Sequence, residues 1–214
     1  KLTTVLMYNA NPQHIMVNKA VGAKNIVDLK GKKLEMLAAG DGVEVSSRIM
    51  LEAFGIKWNE ITPVYSGNRV QAASSLKTGA VDGIIDATGV GAAWITDIVG
   101  DGTKFDFISL TEAQIKDLTA KAGEFSRMDI PANAYKGQTA NVPAVGVFYV
   151  MVARSDLSEE LIYNVTKTIF ENKDYLLGRH KFFSDLMPEN ILSGLVAPLH
   201  PGAAKYYKEV KTLK

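Results

Sequence analysis

From about residue 15 to Gly123, short apolar runs alternate with segments of helical spacing, and most junctions carry glycine or a helix-capping residue. No other feature constrains the fold as much. Residues 34–38 form an apolar run that ends in Gly40-Asp41-Gly42; Val45, Ile49, Ala53 and Phe54 then recur at helical spacing up to Gly55. Residues 61–65 read as a second strand. Ser66-Gly67-Asn68 caps a helix that offers Val70, Ala73 and Leu76 to the core and stops at Gly79. Residues 81–87 lead through Thr88-Gly89-Val90-Gly91 into a helix over 92–99. Residues 105–110 lead into a helix opened by Thr111 and Gln114, spaced as a capping box. Strands and helices joined by short links predict an α/β fold, with a mainly parallel sheet covered on both faces.

The remainder is less regular. Residues 123–141 read as a polar, irregular segment and 145–153 as a buried strand. Ser158-Glu159-Glu160 opens a helix whose first-turn acids suit its dipole, with Leu161, Val165 and Ile169 on one face. The C-terminal part reads as helical, broken at Pro188, Pro198 and Pro201. The run His14-Ile15-Met16-Val17-Asn18 before a helix-like segment is echoed by 148–153 before another. That echo fits paired crossover strands at a hinge.

Composition narrows the function classes. A formal charge of +1 gives no electrostatic reason to expect nucleic acid or an anionic membrane surface. The absence of cysteine excludes disulfides, thiolate metal sites and cysteine nucleophiles. The longest apolar run, 142–153, is too short to span a bilayer and contains Pro143 and Gly146. The chain opens at Lys1 without a leader, so the expectation is that a signal peptide and further N-terminal sequence precede it.

Catalytic constellations are scarce. His14, His180 and His200 are not at metal-ligand spacing, and no nucleophile elbow, phosphate loop or dinucleotide fingerprint is present. Gly89-Val90-Gly91 follows a strand but lacks a third glycine. The expectation is a non-enzyme with no metal and no cofactor. The better signals are loops at the carboxyl ends of strands, where ligands bind in open α/β sheets. The amides of Gly40-Asp41-Gly42 either hold a ligand carboxylate or only turn the chain. Asp86 either accepts from a ligand ammonium or caps the next helix. Arg69 either clamps a carboxylate or lies on the surface. Asn133, Tyr135 and Gln138 either line a cleft or form a surface loop.

Several segments resemble one family when taken in order: Asp28-Leu29-Lys30-Gly31-Lys32, Gly40-Asp41-Gly42-Val43-Glu44, Leu76-Lys77-Thr78-Gly79-Ala80-Val81-Asp82 and Tyr135-Lys136-Gly137. Asp156-Leu157-Ser158-Glu159-Glu160 and Pro198-Leu199-His200-Pro201-Gly202 extend the series. The chain resembles the TAXI class of TRAP-transporter solute receptors along its whole length. That resemblance implies a type II periplasmic-binding-protein fold, with two α/β lobes joined by a hinge and the first half of lobe 1 absent.

The resemblance further implies a lobe 1 remnant and crossover strand over 1–18, lobe 2 with its connecting segment over 19–140, and a return strand with C-terminal helices over 141–214. It implies an extracytoplasmic receptor that passes a small organic acid or amino acid to TRAP membrane subunits, binding no nucleic acid and inserting in no membrane. The expected ligand-binding residues are Gln13, His14, Gly40, Asp41, Gly42, Val43, Asp86, Thr88, Gly89 and Tyr135. Gly40-Asp41-Gly42-Val43 stands where the family usually has Gly-Ser-Gly-Thr, and Gly89-Val90-Gly91 where it has Gly-Val-Pro. The carboxylates of Asp41 and Asp86 tilt the expectation towards a solute with an ammonium group, such as an amino acid. The alternatives are an ABC-type receptor or a ligand-sensing effector domain of the same fold.

Overall fold

The structure is a computed structural model that describes residues 1–100, 104–180, 183–187, 190, 195 and 197–213. The break expected at Pro188 lies outside the described residues. In chain order the elements are β1 (Leu2–Asn18), β2 (Lys33–Glu35), α1 (Gly42–Ala53), β3 (Thr62–Val64), α2 (Arg69–Thr78), β4 (Gly83–Ala87), α3 (Ala93–Val99) and β5 (Phe105–Phe107). There follow α4 (Glu112–Lys121), β6 (Ser126–Arg127), β7 (Val145–Arg154), α5 (Glu159–Glu171), α6 (Lys173–Arg179) and α7 (Pro201–Glu209). The chain divides into two units: Asn11–Val147, and Lys1–Ala10 with Phe148–Lys214.

In the larger unit β2 pairs in parallel with both β3 and β4. β1 runs antiparallel to β4, from Gln13 opposite Ala87 to Val17 opposite Gly83, and antiparallel to β5. The sheet is therefore mixed, where the sequence predicts a mainly parallel one. The β2-α1-β3-α2-β4 alternation does give parallel strands. β1, however, pairs with strands that do not follow it through a single crossover helix, so the alternation leaves its direction open. One face of the sheet carries Ile15, Val17, Leu34 and Ile85, packed with Met50 and Leu51 of α1 and Ile115 and Leu118 of α4. The other carries Met16 and Ile84, packed with Ala72, Ala73 and Leu76 of α2 and Ile95 and Ile98 of α3. The two-residue period along β1 sorts its side chains between these layers.

The helices form where capping residues place them. Asp41, Asn68, Thr111 and Ser158 each accept a backbone N–H one turn ahead. Gly79 ends α2 in the left-handed region at φ 76°. The helix faces match the expected ones in part: Ala73 and Leu76 are buried as expected, whereas Val45, Val70 and Leu161 are exposed and Ser46, Ser47, Ala72 and Ile162 are buried. Small residues let a helix approach the sheet closely, so the buried stripe is centred on them. Ser47 settles there by donating its hydroxyl to the Ile85 carbonyl.

β1 is longer than its apolar part, because buried Asn11, Gln13 and His14 continue it. β7 is half-buried over much of its length rather than buried throughout, with Val145 and Ala153 covered and Val152 exposed. An apolar run says nothing of what covers it. Within the larger unit Gly146 lies against Met128 and the backbone of Asn11 and Pro12, where a Cβ would overlap all three.

In the smaller unit α5 and α7 pack closely around Gly202, which lies against the backbone of Glu159 and Tyr163. Val5, Leu6, Ile162, Phe170, Ala203, Tyr206 and Tyr207 fill the core there. His200 caps α7: its Nδ1 accepts from the Gly202 amide, which leaves Nε2–H to donate to the Leu157 carbonyl.

Candidate functional site

The site begins at the carboxyl end of β4. Asp86 stands next to last in that strand with its side chain 1% exposed, and Arg69 opens α2 with its side chain 38% exposed. Arg69 stands there because Asn68 starts the helix, its side chain accepting from the amides of Val70 and Gln71. The guanidinium grips the carboxylate with two donors, Nε to Oδ2 at 2.7 Å and Nη2 to Oδ1 at 3.0 Å. Such a fork fixes both position and plane. Burial pushes the Asp86 carboxyl above its ordinary range; Arg69 pulls it down, and the charge of Asp41 adds a smaller upward push. Asp86 is thus engaged by Arg69, whose half-exposed side chain meets the solvent. The guanidinium carbon lies 6.0 Å from the Trp94 ring centre.

A second network lies on the same sheet face. His14 is fully buried opposite Asp86 in the β1–β4 ladder. Its Nδ1 lies 2.9 Å from the Pro12 carbonyl and its Nε2 2.9 Å from the Tyr135 hydroxyl. A carbonyl only accepts, so Nδ1 carries the proton and the Tyr135 O–H donates to Nε2. The Gly91 amide in turn donates to the Tyr135 oxygen at 2.9 Å. Phe107 stacks on the Tyr135 ring with centroids 5.4 Å apart. Desolvation lowers the His14 pKa to about 4, which keeps the imidazole neutral. His14 and Tyr135 therefore spend their polar atoms on the chain itself, and the loop they hold is Thr88-Gly89-Val90-Gly91. The Thr88 amide donates to the Pro12 carbonyl at 3.3 Å, and Gly91 takes φ 78°.

The start of α1 contributes charge rather than open amides. Gly40 turns the chain at φ 77°. Its amide donates to Glu44 at 2.6 Å, and the Val43 amide donates to Asp41 at 2.8 Å. Carboxylates of the chain itself occupy those two groups, and Gly42 opens the helix between them. This arrangement suits a cationic group better than a ligand carboxylate. Hydrogen bonds to Gly40 and Arg48 hold the Glu44 carboxyl below its usual value.

Gln13 lies apart from His14 on the opposite sheet face. It donates to Ser46 at 3.0 Å, and its buried Oε1 has no partner among the described residues. Gln138 spends its amide on the carbonyls of Pro131 and Ala140, so it braces its own loop. Asn133 is exposed at φ 62°. Of the expected residues, then, His14, Asp86, Thr88, Gly89 and Tyr135 gather on one side of β4. Asp41 is close enough for its charge to be felt at Asp86.

Sequence reasoning passed over Glu35, Glu44 and Trp94. A signal for Glu35 was present: an acid within the apolar run Leu34-Glu35-Met36-Leu37 has to be buried with partners. Among the described residues no cluster of three His, Asp or Glu side chains is placed to hold a metal ion. No helix among them is long and apolar enough to cross a membrane.

Over residues 1–210 the chain matches the NMT1-like family. It is similar in structure to a protein of Bordetella bronchiseptica RB50, with 17% identity and a TM-score of 0.52 over 99% of this chain and 58% of that one. It is also similar to the periplasmic sulfonate-binding protein SsuA of a putative sulfonate ABC transporter from Methylobacillus flagellatus KT. There the identity is 17% and the TM-score 0.48, over 97% of this chain and 59% of that one. The arginine-, lysine-, histidine-binding protein ArtJ of Geobacillus stearothermophilus aligns at 17% identity and a TM-score of 0.47, over 86% of this chain and 63% of that one. The chain thus spans less than two thirds of each of these structures. The feature shared with the Bordetella bronchiseptica protein is the fold, a mixed α/β architecture with an open sheet.

Proposed function

The chain belongs to the NMT1-like family, and from that premise we propose that it is the solute-binding part of an extracytoplasmic receptor for a small α-amino acid. The observation that carries this reading is the Arg69–Asp86 fork at the carboxyl end of β4, with Asp41 near enough to act on Asp86. A solute carboxylate meets the half-exposed guanidinium, and a solute ammonium meets the Asp41 carboxylate. The Gly89–Gly91 loop, which follows Asp86 in the chain, is held by Tyr135 and His14. These groups bind and orient a solute, and the reading assigns no bond-making step. Delivery to TRAP-type membrane subunits, in preference to an ABC-type complex, is supported by the ordered motifs shared with TAXI receptors.

A thermal-shift titration of the natural full-length protein tests this. A solute that binds only the folded state raises the melting temperature with the logarithm of its concentration. The expected result is a saturable rise with one or more α-amino acids, and an Arg69→Ala variant whose affinity falls by about tenfold or more. A full panel of amino acids, dicarboxylates and keto acids that leaves the melting temperature unmoved would sink the reading.

A further inference from the structure

Two carboxylates outside the expected site lie beneath the loops that carry its charged groups. Glu35 ends β2 and is 1% exposed; its Oε1 accepts from the Leu37 amide at 3.0 Å and from the Ser66 amide at 3.1 Å. Leu37 belongs to the loop leading to Asp41, and Ser66 to the loop leading to Arg69. Glu44, in the first turn of α1, is also buried. Its Oε2 accepts from the Gly40 amide at 2.6 Å, and its Oε1 pairs with Arg48 and accepts from the Tyr65 hydroxyl at 3.4 Å. Each carboxylate therefore bridges the same two loops.

The backbone adds two more ties. The Met36 amide donates to the Val64 carbonyl at 2.9 Å, and the Gly67 amide to the Leu37 carbonyl at 2.7 Å. Leu37 sits at φ 60°, which is costly for a branched side chain. The shape of that loop is consequently imposed by its surroundings. One buried carboxylate could serve a single turn. Two that span the same pair of loops set the distance between them.

We infer that Glu35 and Glu44 are positioning residues of the solute site, fixing the separation of Asp41 and Arg69 and so preorganising the site for a solute that carries both signs of charge. The inference rests on the solute-binding reading above. Its consequence is selective: a zwitterion needs Asp41 and Arg69 at one spacing, whereas a solute with carboxylates alone needs Arg69.

The test uses the natural full-length protein with Glu35→Gln, Glu44→Gln and Glu60→Gln. Glu60 accepts from the Lys57 amide and pairs with Lys30 at the other end of β3, so its replacement is the control. Amide hydrogen exchange is followed without solute. Calorimetric titration then uses L-glutamate and glutarate, which differ by the ammonium group.

In Glu35→Gln the Leu37 and Ser66 amides should exchange about tenfold faster or more, because a charge-assisted bond becomes a neutral one. L-glutamate should weaken by about tenfold and glutarate by less than about threefold. Glu44→Gln should act in the same direction at Gly40, and Glu60→Gln should alter neither loop. Unchanged exchange at residues 36–41 and 65–68, or an equal loss for both probes, would overturn the inference. If the unsubstituted protein binds neither probe, the amino-acid reading is left to the full thermal-shift panel, and the exchange at residues 36–41 and 65–68 alone decides the inference, unchanged exchange overturning it. If Glu35→Gln fails to fold, Glu44→Gln decides by the same measurements.

Discussion

The strand ends of the larger unit and the α5–α7 pair of the smaller unit are both well packed, but opposite means hold them. At the strand ends Glu35, Glu44, Asp86 and His14 are buried, and directed hydrogen bonds hold each of them, with Glu35 Oε2 left without a partner among the described residues. Between α5 and α7 the core is made of Ile162, Phe170, Ala203, Tyr206 and Tyr207, with Gly202 letting the backbones touch. There the charged pairs, such as Lys205 with Glu159, stay exposed. Burying ionisable groups costs free energy that an apolar core does not incur. A region that buries Glu35, Glu44, Asp86 and His14 together is where recognition is to be sought; a region with an apolar and aromatic core, whose buried His200 is spent on capping α7, serves the fold.

The comparison can be broken most severely at Gly202. Gly202→Val places a side chain into the Glu159 backbone and should cost about 3 kcal/mol in urea unfolding. A loss below about 1 kcal/mol would show that α5 and α7 are not locked by that contact.

Acid distinguishes the two regions next. The unfolded imidazole takes a proton near pH 6.5, and folded His14 only near 4. Between those values the unfolded state binds more protons, so the contribution of His14 is full above pH 6.5 and is lost as pH falls towards 4. The loss should be about 3 kcal/mol and should be absent in His14→Gln.

Asp86→Ala should cost about 2 kcal/mol, because Arg69 keeps part of its hydration. Its solute affinity should fall as well, read by calorimetry; an unchanged affinity would remove the fork from the site.

The smallest effects sharpen the contrast. Asn68→Ala and Ser158→Ala each remove a helix cap and should each cost about 1 kcal/mol. Only the first starts the helix that carries Arg69, so only the first should weaken solute binding. Equal binding losses would show that the effect is general destabilisation.

The elements were largely legible because their signals are local. Asn68, Thr111 and Gly79 act within one turn, and the helices begin and end where those residues stand. Helix faces were less legible: Leu161 fits an apolar stripe as well as Ile162 does, and Val45 fits one better than Ser46, yet Ile162 and Ser46 are the buried ones because the neighbouring elements select the face. The site was legible as loops but not as roles. His14 and Tyr135 stand 121 residues apart in the chain, and nothing near either one announces their shared hydrogen bond. Glu35 carried a readable sign, an acid inside an apolar strand, yet its partners Leu37 and Ser66 lie on two different loops.

By itself the sequence determined the α/β class, the β2-α1-β3-α2-β4 succession and the caps, since all of these follow from nearest-neighbour preferences and residue type. Only the tertiary structure decided that the sheet is mixed, that Asp86 belongs to Arg69, that Tyr135 and His14 hold the Gly89–Gly91 loop, and that Glu35 and Glu44 bridge two loops. The physical reason is range. A cap or a turn is settled within a few residues, whereas strand direction and the pairing of buried charges are settled by groups that only folding brings within hydrogen-bond distance.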